Sequence, residues 1–441
     1  MTLKTGPDRA PQSIAVIGSG VAGLTAAHVV SRHARVTLFE ADSRLGGHAH
    51  THLLDLPTGP LAVDSGFIVH NDRTYPTLLR LFDELDIATL DTDMSMSVSS
   101  KLTGLEYAGA LGVTGLFPTA RNLTRPRYLR MLGEVVRFHR AARRVLDDPG
   151  ADEPLARFVA REGFSDYFRD NFLLPLVAAV WSCDEQTAAD YPARYLFTFL
   201  DHHGMLSVFG SPTWRTVAGG SIRYVTAIAD ALVARGGEIH CGTPVNRVLP
   251  TADGVEVTVG DRPAQIFDAV VVATHPHQAL SMLAEPTPDQ KRILGAIQYL
   301  PKLAVLHSDT SLLPRARRAW ASWNYQIRDE PTTPSGAGEV AVTYDLTRLM
   351  SLPTTAPRML VTLGRTDLVD PAKVHAAMAY EHPIYTTTSV AAQAELPTID
   401  TDRIAFAGAY HGWGFHEDGA ASGVRAAARL GYTWARPEVP A

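Results

Sequence analysis

Ser13-Ile-Ala-Val-Ile-Gly18-Ser-Gly20-Val-Ala-Gly23-Leu24 is the stretch from which the fold is read. Ser13 to Ile17 is a short, β-branched, mostly apolar run, the pattern of a buried strand. Three glycines follow at GxGxxG spacing, and Leu24-Thr-Ala-Ala-His-Val-Val30 then predicts a helix. Arg35-Val-Thr-Leu-Phe-Glu40 predicts a second strand, ending in an acid 22 residues beyond Gly18. Strand, glycine loop, helix and terminal acid together describe a dinucleotide-binding βαβ unit. Gly18 permits the tight turn, Gly20 lets backbone approach a pyrophosphate, and Gly23 lets the helix lie close to the sheet. Ser19, Val21 and Ala22 complete a loop whose N–H groups, at the helix N-terminus, face the anion. Glu40 is suited to accept hydrogen bonds from both hydroxyls of an adenosine ribose and to repel a 2′-phosphate, which disfavours NADP.

Composition sets the bounds around this unit. A chain of 441 residues predicts two or three domains. With 46% hydrophobic and 20% charged residues, a large core is available and whole-chain disorder is excluded. The net charge of −6 is opposite in sign to the basic excess of nucleic-acid binders, so no nucleic-acid partner is expected. No apolar run is long enough to span a bilayer, and Met1 to Gln12 lacks the apolar core of a secretory signal. A cytoplasmic location is therefore expected. The two cysteines, Cys183 and Cys241, give no disulfide framework, redox pair or zinc spacing.

A second glycine pair, Arg44-Leu-Gly46-Gly47-His48-Ala-His-Thr51, lies just beyond the second predicted strand. Near the other end, Arg403-Ile-Ala-Phe-Ala-Gly408 predicts a strand. It leads into Ala409-Tyr-His-Gly-Trp-Gly-Phe-His-Glu417-Asp-Gly-Ala-Ala-Ser-Gly423 and an alanine-rich helix. These three motifs resemble those of the flavin-containing amine oxidase superfamily, which also includes phytoene desaturases and protoporphyrinogen oxidases. The nearer resemblance is to a bacterial branch of predicted NAD/FAD-binding proteins associated with cyclopropane and methyl-branched fatty-acid enzymes. Asp64–Asn71 with Tyr75-Pro76, Ala179–Ser182, Arg318–Tyr325 and Glu381-His-Pro383 match that branch, so the resemblance runs along almost the whole chain.

The resemblance implies an FAD cofactor and an α/β, overall α+β, fold. A Rossmann-type FAD-binding domain (1–71, 215–282 and 395–441) is interleaved with a mixed-sheet and helical substrate domain (72–214 and 283–394). It assigns Arg44, Gly46, Gly47 and His48 to the phosphate and ribityl region, with His48 standing where many relatives have arginine. Val245 is assigned to the adenine, and Gly408, Phe415, Glu417, Asp418 and Gly419 to the flavin. Glu417 corresponds to the acid that bonds the ribityl chain. Asp418-Gly419 marks a helix start whose partial positive charge would favour a reduced, anionic flavin; simple capping by Asp418 is compatible with that. The single complete fingerprint argues against a separate NAD(P)H-binding domain.

Three residues are candidates for chemistry beside the flavin. Lys302, in the strand-like run Leu300–Leu306, has a position similar to the family lysine that holds a water near N5; the alternative is an edge lysine facing solvent. Phe415 falls where amine oxidases place a tyrosine of their aromatic cage, and that departure favours an apolar substrate over an amine. Trp413 either lines that substrate space or packs on the flavin. His416 and Trp323 join Trp413 as candidate substrate contacts. The paired histidines (His48/His50/His52, His202/His203, His275/His277) lack carboxylate or cysteine partners at metal spacing, so no metal is expected.

Arg121, Arg125, Arg127, Arg130, Arg137, Arg140, Arg143 and Arg144 cluster around Leu129, Leu132, Val136 and Phe138. They describe either a solvated arginine face or a basic amphipathic helix that touches anionic lipid at the inner membrane face. The expected function is an FAD-dependent oxidoreductase that transfers hydride between flavin N5 and an apolar substrate, a modified fatty-acyl lipid by analogy with the branch. The rival readings are an amine or amino-acid oxidase making imine and peroxide, a carotenoid- or porphyrin-desaturase-like enzyme, and a non-catalytic FAD-bound partner of a lipid methyltransferase.

Overall fold

Ser13–Ile17 lies at the centre of a five-stranded, fully parallel sheet. The strand order is Glu238–His240, Arg35–Phe39, Ser13–Ile17, Ala269–Val272, Ile404–Phe406. The computed structural model describes residues 12–435 except 149, 151, 182, 208, 209 and 328–341; Met1 to Pro11 of the N-terminal stretch, Ser182 and the last six residues of the expected third segment lie outside it. The alternation of the central strand is put to use on both faces. Ile14 and Val16 enter one core with Leu24, Val29 and Ala427, while Ala15 and Ile17 enter another with Val248 and Ile293. Burial on both faces is what a continuous β-branched run requires.

The helix Val21–Val30 returns over this sheet and is buried along its whole length. The last long helix, His416–Arg429, crosses it at very short range. A Cβ on Gly419 would stand 2.6 Å from Val21 Cγ1, and one on Gly423 2.3 Å from the Ala22 carbonyl oxygen. The contacts advance in the same direction along both helices, so their N-termini lie at the same end of the nucleotide-binding layer.

A second, seven-stranded sheet has the order Val374–Pro383, Tyr299–His307, Leu360–Leu363, Val342–Asp345, Trp323–Ile327, Met96–Ser100, Leu105–Ala108. It is antiparallel except where Trp323–Ile327 runs parallel to Met96–Ser100. Helices Pro126–Asp147, Leu174–Trp181 and Ala193–His202 pack beside it around an aromatic core containing Tyr128, Phe138, Phe158 and Phe197.

The packing and the sequence boundaries differ in two places. Pro76–Glu84, allotted by sequence to the substrate domain, sends Leu78, Leu81 and Phe82 into the nucleotide-side core. Pro288–Ala296 likewise sends Ile293 and Leu294 there. Both are amphipathic helices, and an apolar stripe does not announce which sheet it will cover. Among the described residues no helix is long and apolar enough to cross a membrane.

Gly423→Ala should lower stability by about 1–3 kcal/mol, because a methyl group must displace backbone at the helix crossing. Thermal unfolding of the variant measures this, and an unchanged midpoint would show that the crossing relaxes freely.

Candidate flavin and substrate site

The two glycine loops meet at the N-terminus of Val21–Val30. Gly18, Gly46 and Gly47 take φ values of +97°, +107° and +56°, which side chains disfavour. A Cβ on Gly23 would stand 1.9 Å from the Gly18 carbonyl oxygen, so Gly23 is a packing requirement. Gly20 is different: a Cβ there meets no protein atom within 4 Å. The protein itself does not demand glycine at this position. The open cradle over the helix N-terminus suits a pyrophosphate, and a side chain would fill it. The Ser19 N–H and hydroxyl donate to one Glu40 oxygen, at 2.8 and 2.5 Å, and the Asp42 N–H donates to the other at 2.8 Å. These bonds fix the carboxylate at the end of its strand and leave lone pairs for ribose hydroxyls. Val245 is half-buried at the start of Val245–Pro250, opposite Val259.

The Arg44 guanidinium donates to the carbonyls of Leu45, Gly47 and Ala49, the shortest contact being 2.8 Å to Gly47. It therefore shapes the second glycine loop.

The loop before His416–Arg429 is held tightly. The Gly408 N–H donates to Ser422 Oγ. The Gly412 carbonyl accepts from Tyr195 Oη and Tyr385 Oη, each at 2.8 Å, and from Gln393 Nε2 at 2.6 Å. Asp418 accepts the Phe415 N–H at 2.9 Å, and burial pushes its carboxyl up to about 7. Two sequence-selected residues have partners here that the sequence did not show. Both Glu417 oxygens accept backbone N–H groups, of Thr77 and Leu78, each at 2.9 Å. Glu417 thus caps the helix that begins at Pro76, whose first N–H groups have no partner within that helix. His416, expected against substrate, stacks on Phe67 with centroids 3.6 Å apart and shares a 3.0 Å hydrogen bond with Tyr224 Oη. The first helical turn rotates it into the nucleotide-side core.

Trp413 and Phe415, one residue either side of Gly414, join an aromatic wall. Phe415 stacks on Phe199 at 4.9 Å and lies 6.4 Å from Trp181. Trp413 lies 5.9 Å from Tyr195, its carbonyl accepts the Trp181 indole N–H, and its own buried indole N–H has no partner among the described residues. Trp181, Phe199, Tyr195 and Tyr385 were not selected by sequence. Trp181 lies in one of the matched motifs, but only the fold shows what it faces.

Lys302 is half-buried and pairs across the sheet with Tyr380, which puts it on the face that carries Tyr380 and His382. Its charge reaches His382 and Cys183, the latter two residues after Trp181. His48 stacks on Tyr380 at 4.9 Å and lies 5.6 Å from His382. Buried His48 Nε2 and His382 Nδ1 have no hydrogen-bond partner among the described residues, which fits a polar cofactor completing the site. Trp323 lies three strands along the sheet from Lys302, packed edge-on against Tyr344 at 5.4 Å. The sequence missed one histidine partner. His275 Nδ1 lies 2.6 Å from Glu381, with His277 Nε2 at 3.6 Å from the same oxygen. The three could group around a cation, yet the 2.6 Å contact is a direct hydrogen bond, shorter than two ligands of one ion normally approach.

Burial holds the site histidines neutral. The His48 imidazole falls well below its usual range, chiefly by desolvation and then by His382 and His275. His382 falls to about 4 and His416 to about 3 for the same first reason.

A glycine cradle on a parallel βαβ layer, a second helix N-terminus beside it and an aromatic wall under a mixed sheet define a flavoprotein oxidoreductase. The sequence model of the flavin containing amine oxidoreductases matches residues 21–308. The chain belongs to that family, is an FAD-dependent oxidoreductase and takes FAD as its cofactor. Its fold is similar to that of cyclohexylamine oxidase from Brevibacterium oxydans IH-35A, with a TM-score of 0.67 at 18% identity over 96% of this chain and 99% of that one. It is equally similar to the CLA-producing fatty acid isomerase from P. acnes, with a TM-score of 0.66 at 16% identity over 93% and 96% of the two chains. A curated relative, lysine-specific histone demethylase 1 of Schizosaccharomyces pombe, is 25% identical over 122 residues; the match spans 24% of this chain and 12% of that protein.

Gly20→Val should yield folded, colourless protein: the valine meets no protein atom but fills the pyrophosphate cradle. Visible flavin absorbance and circular dichroism together check this, and a yellow variant would refute the cradle. Stability of the cofactor-free protein should rise from about pH 4 to about pH 6.5. Buried histidines with lowered folded pKa values leave the unfolded chain binding more protons in that window, so acid favours unfolding. Asp418, raised to about 7, Asp400, raised to about 6, and Asp64, Asp345 and Glu417, also raised by burial, oppose this above their ordinary values. They are outnumbered by His28, His48, His50, His70, His203, His307, His382, His411 and His416. Urea unfolding across that range reads the slope, and a fall with rising pH would contradict it.

Proposed function

We propose that the substrate is an apolar lipid, most simply a methyl- or cyclopropane-modified fatty-acyl chain. The observation that carries this reading is the wall of Phe415, Phe199, Trp181 and Trp413. At Phe415 it lacks the tyrosine hydroxyl of the amine-oxidase cage, and a broad apolar ring surface suits an apolar chain. The nearby polar groups are already committed: the Tyr195 and Tyr385 hydroxyls donate to Gly412, and the Glu417 and Asp418 carboxylates accept backbone N–H groups. A fatty acid isomerase of the same fold supports an apolar use of this architecture. The likeness to cyclohexylamine oxidase supports the rival reading of an amine substrate.

FAD, when bound, supplies hydride transfer at N5. Gly18, Gly20 and the N-terminus of Val21–Val30 would hold its pyrophosphate, and Glu40 its ribose. The aromatic wall excludes water and orients an apolar chain. Lys302 supplies the one lysine ammonium on the Tyr380–His382 face, suited to hold a water or proton there.

Anaerobic visible spectra of the purified flavoprotein, before and after adding lipid extract from its own host, test the reading. Bleaching is expected, with product found by mass spectrometry. Bleaching by an amine panel and not by lipid would transfer the assignment to the amine reading, and failure of both would leave the scaffold reading. Lys302→Met should slow flavin reduction or reoxidation roughly 100-fold, the lower end of the range for a positioned proton-transfer group, with flavin content unchanged. Unchanged half-reaction rates would make Lys302 a structural strand residue.

A further inference from the structure

The arginine-rich segment is not absorbed by the flavin site. Between residues 101 and 146 there are nine Lys and Arg residues against two acids, in a chain whose net charge is −6. The structure engages both acids in hydrogen bonds to backbone and hydroxyl donors. Glu134 is buried, accepting the Ser165 N–H and hydroxyl at 3.0 and 2.6 Å. Glu106 accepts the backbone N–H groups of Arg315 and Ala316. That contact also brings the exposed Arg315, Arg317 and Arg318 to the same lobe.

Large apolar side chains stand out among these cations. Leu102 is 74% exposed, Val113 75%, Leu123 58%, Leu129 43% and Val136 45%. They lie on the turn between Met96–Ser100 and Leu105–Ala108, the helix Gly112–Leu116, the turn Ala120–Thr124 and the helix Pro126–Asp147. Hydrogen bonds hold these pieces as one surface: Arg125 Nη2 donates to the Thr103 carbonyl, Tyr128 Oη to Leu116, and Asn122 Nδ2 to Glu106 and Leu116. Arg130, Arg137 and Arg144 have acidic neighbours on the helix side. Arg121, Arg127 and Arg140 have no carboxylate at ion-pair distance among the described residues.

We propose that this lobe docks on an anionic lipid bilayer, with the leucines and valines entering the boundary between headgroups and acyl chains and the arginines pairing with lipid phosphates. Charge complementarity selects the occupant. Unpaired arginines interleaved with exposed aliphatic side chains fit a phosphate-bearing surface with an apolar layer beneath it. An acidic soluble protein would satisfy the arginines and leave the leucines in water. The proposal rests on this lobe alone and stands whatever the flavin site oxidises.

The test is co-sedimentation of the flavin-loaded full chain with vesicles of phosphatidylcholine plus phosphatidylglycerol, and of phosphatidylcholine alone. Binding is expected to the anionic vesicles and to weaken as salt rises. The combined Arg121→Gln, Arg127→Gln and Arg140→Gln substitution should weaken it roughly 100-fold, at about 1 kcal/mol per arginine. The pair Leu102→Ser and Leu129→Ser should weaken it several-fold, with flavin absorbance and thermal midpoint unchanged in every variant. Equal binding to neutral vesicles, absence of vesicle binding, binding to an acidic soluble protein in place of vesicles, or indifference to the arginine substitutions would overturn the proposal. If the triple variant loses its flavin, Arg127→Gln alone carries the same expectation at about fivefold, again from 1 kcal/mol per arginine.

Discussion

The site depends on the glycine-mediated crossing of the first and last helices. Gly419 and Gly423 let His416–Arg429 lie directly on Val21–Val30, against the Val21 side chain at Gly419 and against Ala22 backbone at Gly423. Helices usually pack 8–10 Å apart through interdigitated side chains, and removing those side chains brings the backbones closer. The parallel sense of the crossing sets two helix N-termini side by side, each with N–H groups that lack partners within the helix. Residues nearly 400 positions apart in sequence thus build one surface suited to an anionic cofactor.

A rigid frame on the substrate side complements that crossing. Three donors converge on the Gly412 carbonyl, which fixes the loop that presents Trp413 and Phe415. The hydroxyls used for this are tyrosine groups that could otherwise have faced a substrate. Committing them to the backbone leaves the wall apolar, so one arrangement sets both the shape and the polarity of the space. Neutral histidines follow from the same enclosure, since burial raises the cost of the charged imidazole more than the neighbouring groups offset.

The sequence discloses the nucleotide-binding layer well because its requirements are local. The turn at Gly18, the close approach at Gly23 and the acid at Glu40 all fall within one βαβ unit, and each has a physical meaning at its own position. Partnerships across the chain are not disclosed. That Glu417 caps Pro76–Glu84 shows only when the fold brings that helix's unpaired N–H groups to it. His416 reads as a substrate contact until the helical rotation turns it onto Phe67. Glu381 and His275 are individually unremarkable, and only strand pairing and the loop after Ala269–Val272 bring them to 2.6 Å. Trp181 and Phe199 carry no pattern that separates a site wall from a core, since an aromatic residue on a helix serves either use.

Charge is distributed unevenly over the molecule, and that asymmetry has a structural logic. An acidic chain that gathers nine cations into one 46-residue stretch must hold them apart from its carboxylates, or they would neutralise one another. The fold does so in part by directing Glu106 and Glu134 to backbone and hydroxyl donors, with only Arg130 and Arg137 of the cluster reaching Glu134. Those acids are thereby spent on positioning a helix, a turn and a loop, and the arginines remain outward. Aliphatic residues exposed among them run against the hydrophobic effect in water, so the folded chain gains when that surface is covered. A long amphipathic helix with Phe138 and Tyr128 buried beneath it supplies a stiff platform for that purpose. The elements that carry the flavin cradle and those that carry the arginine-rich face are thus separate parts of the same chain.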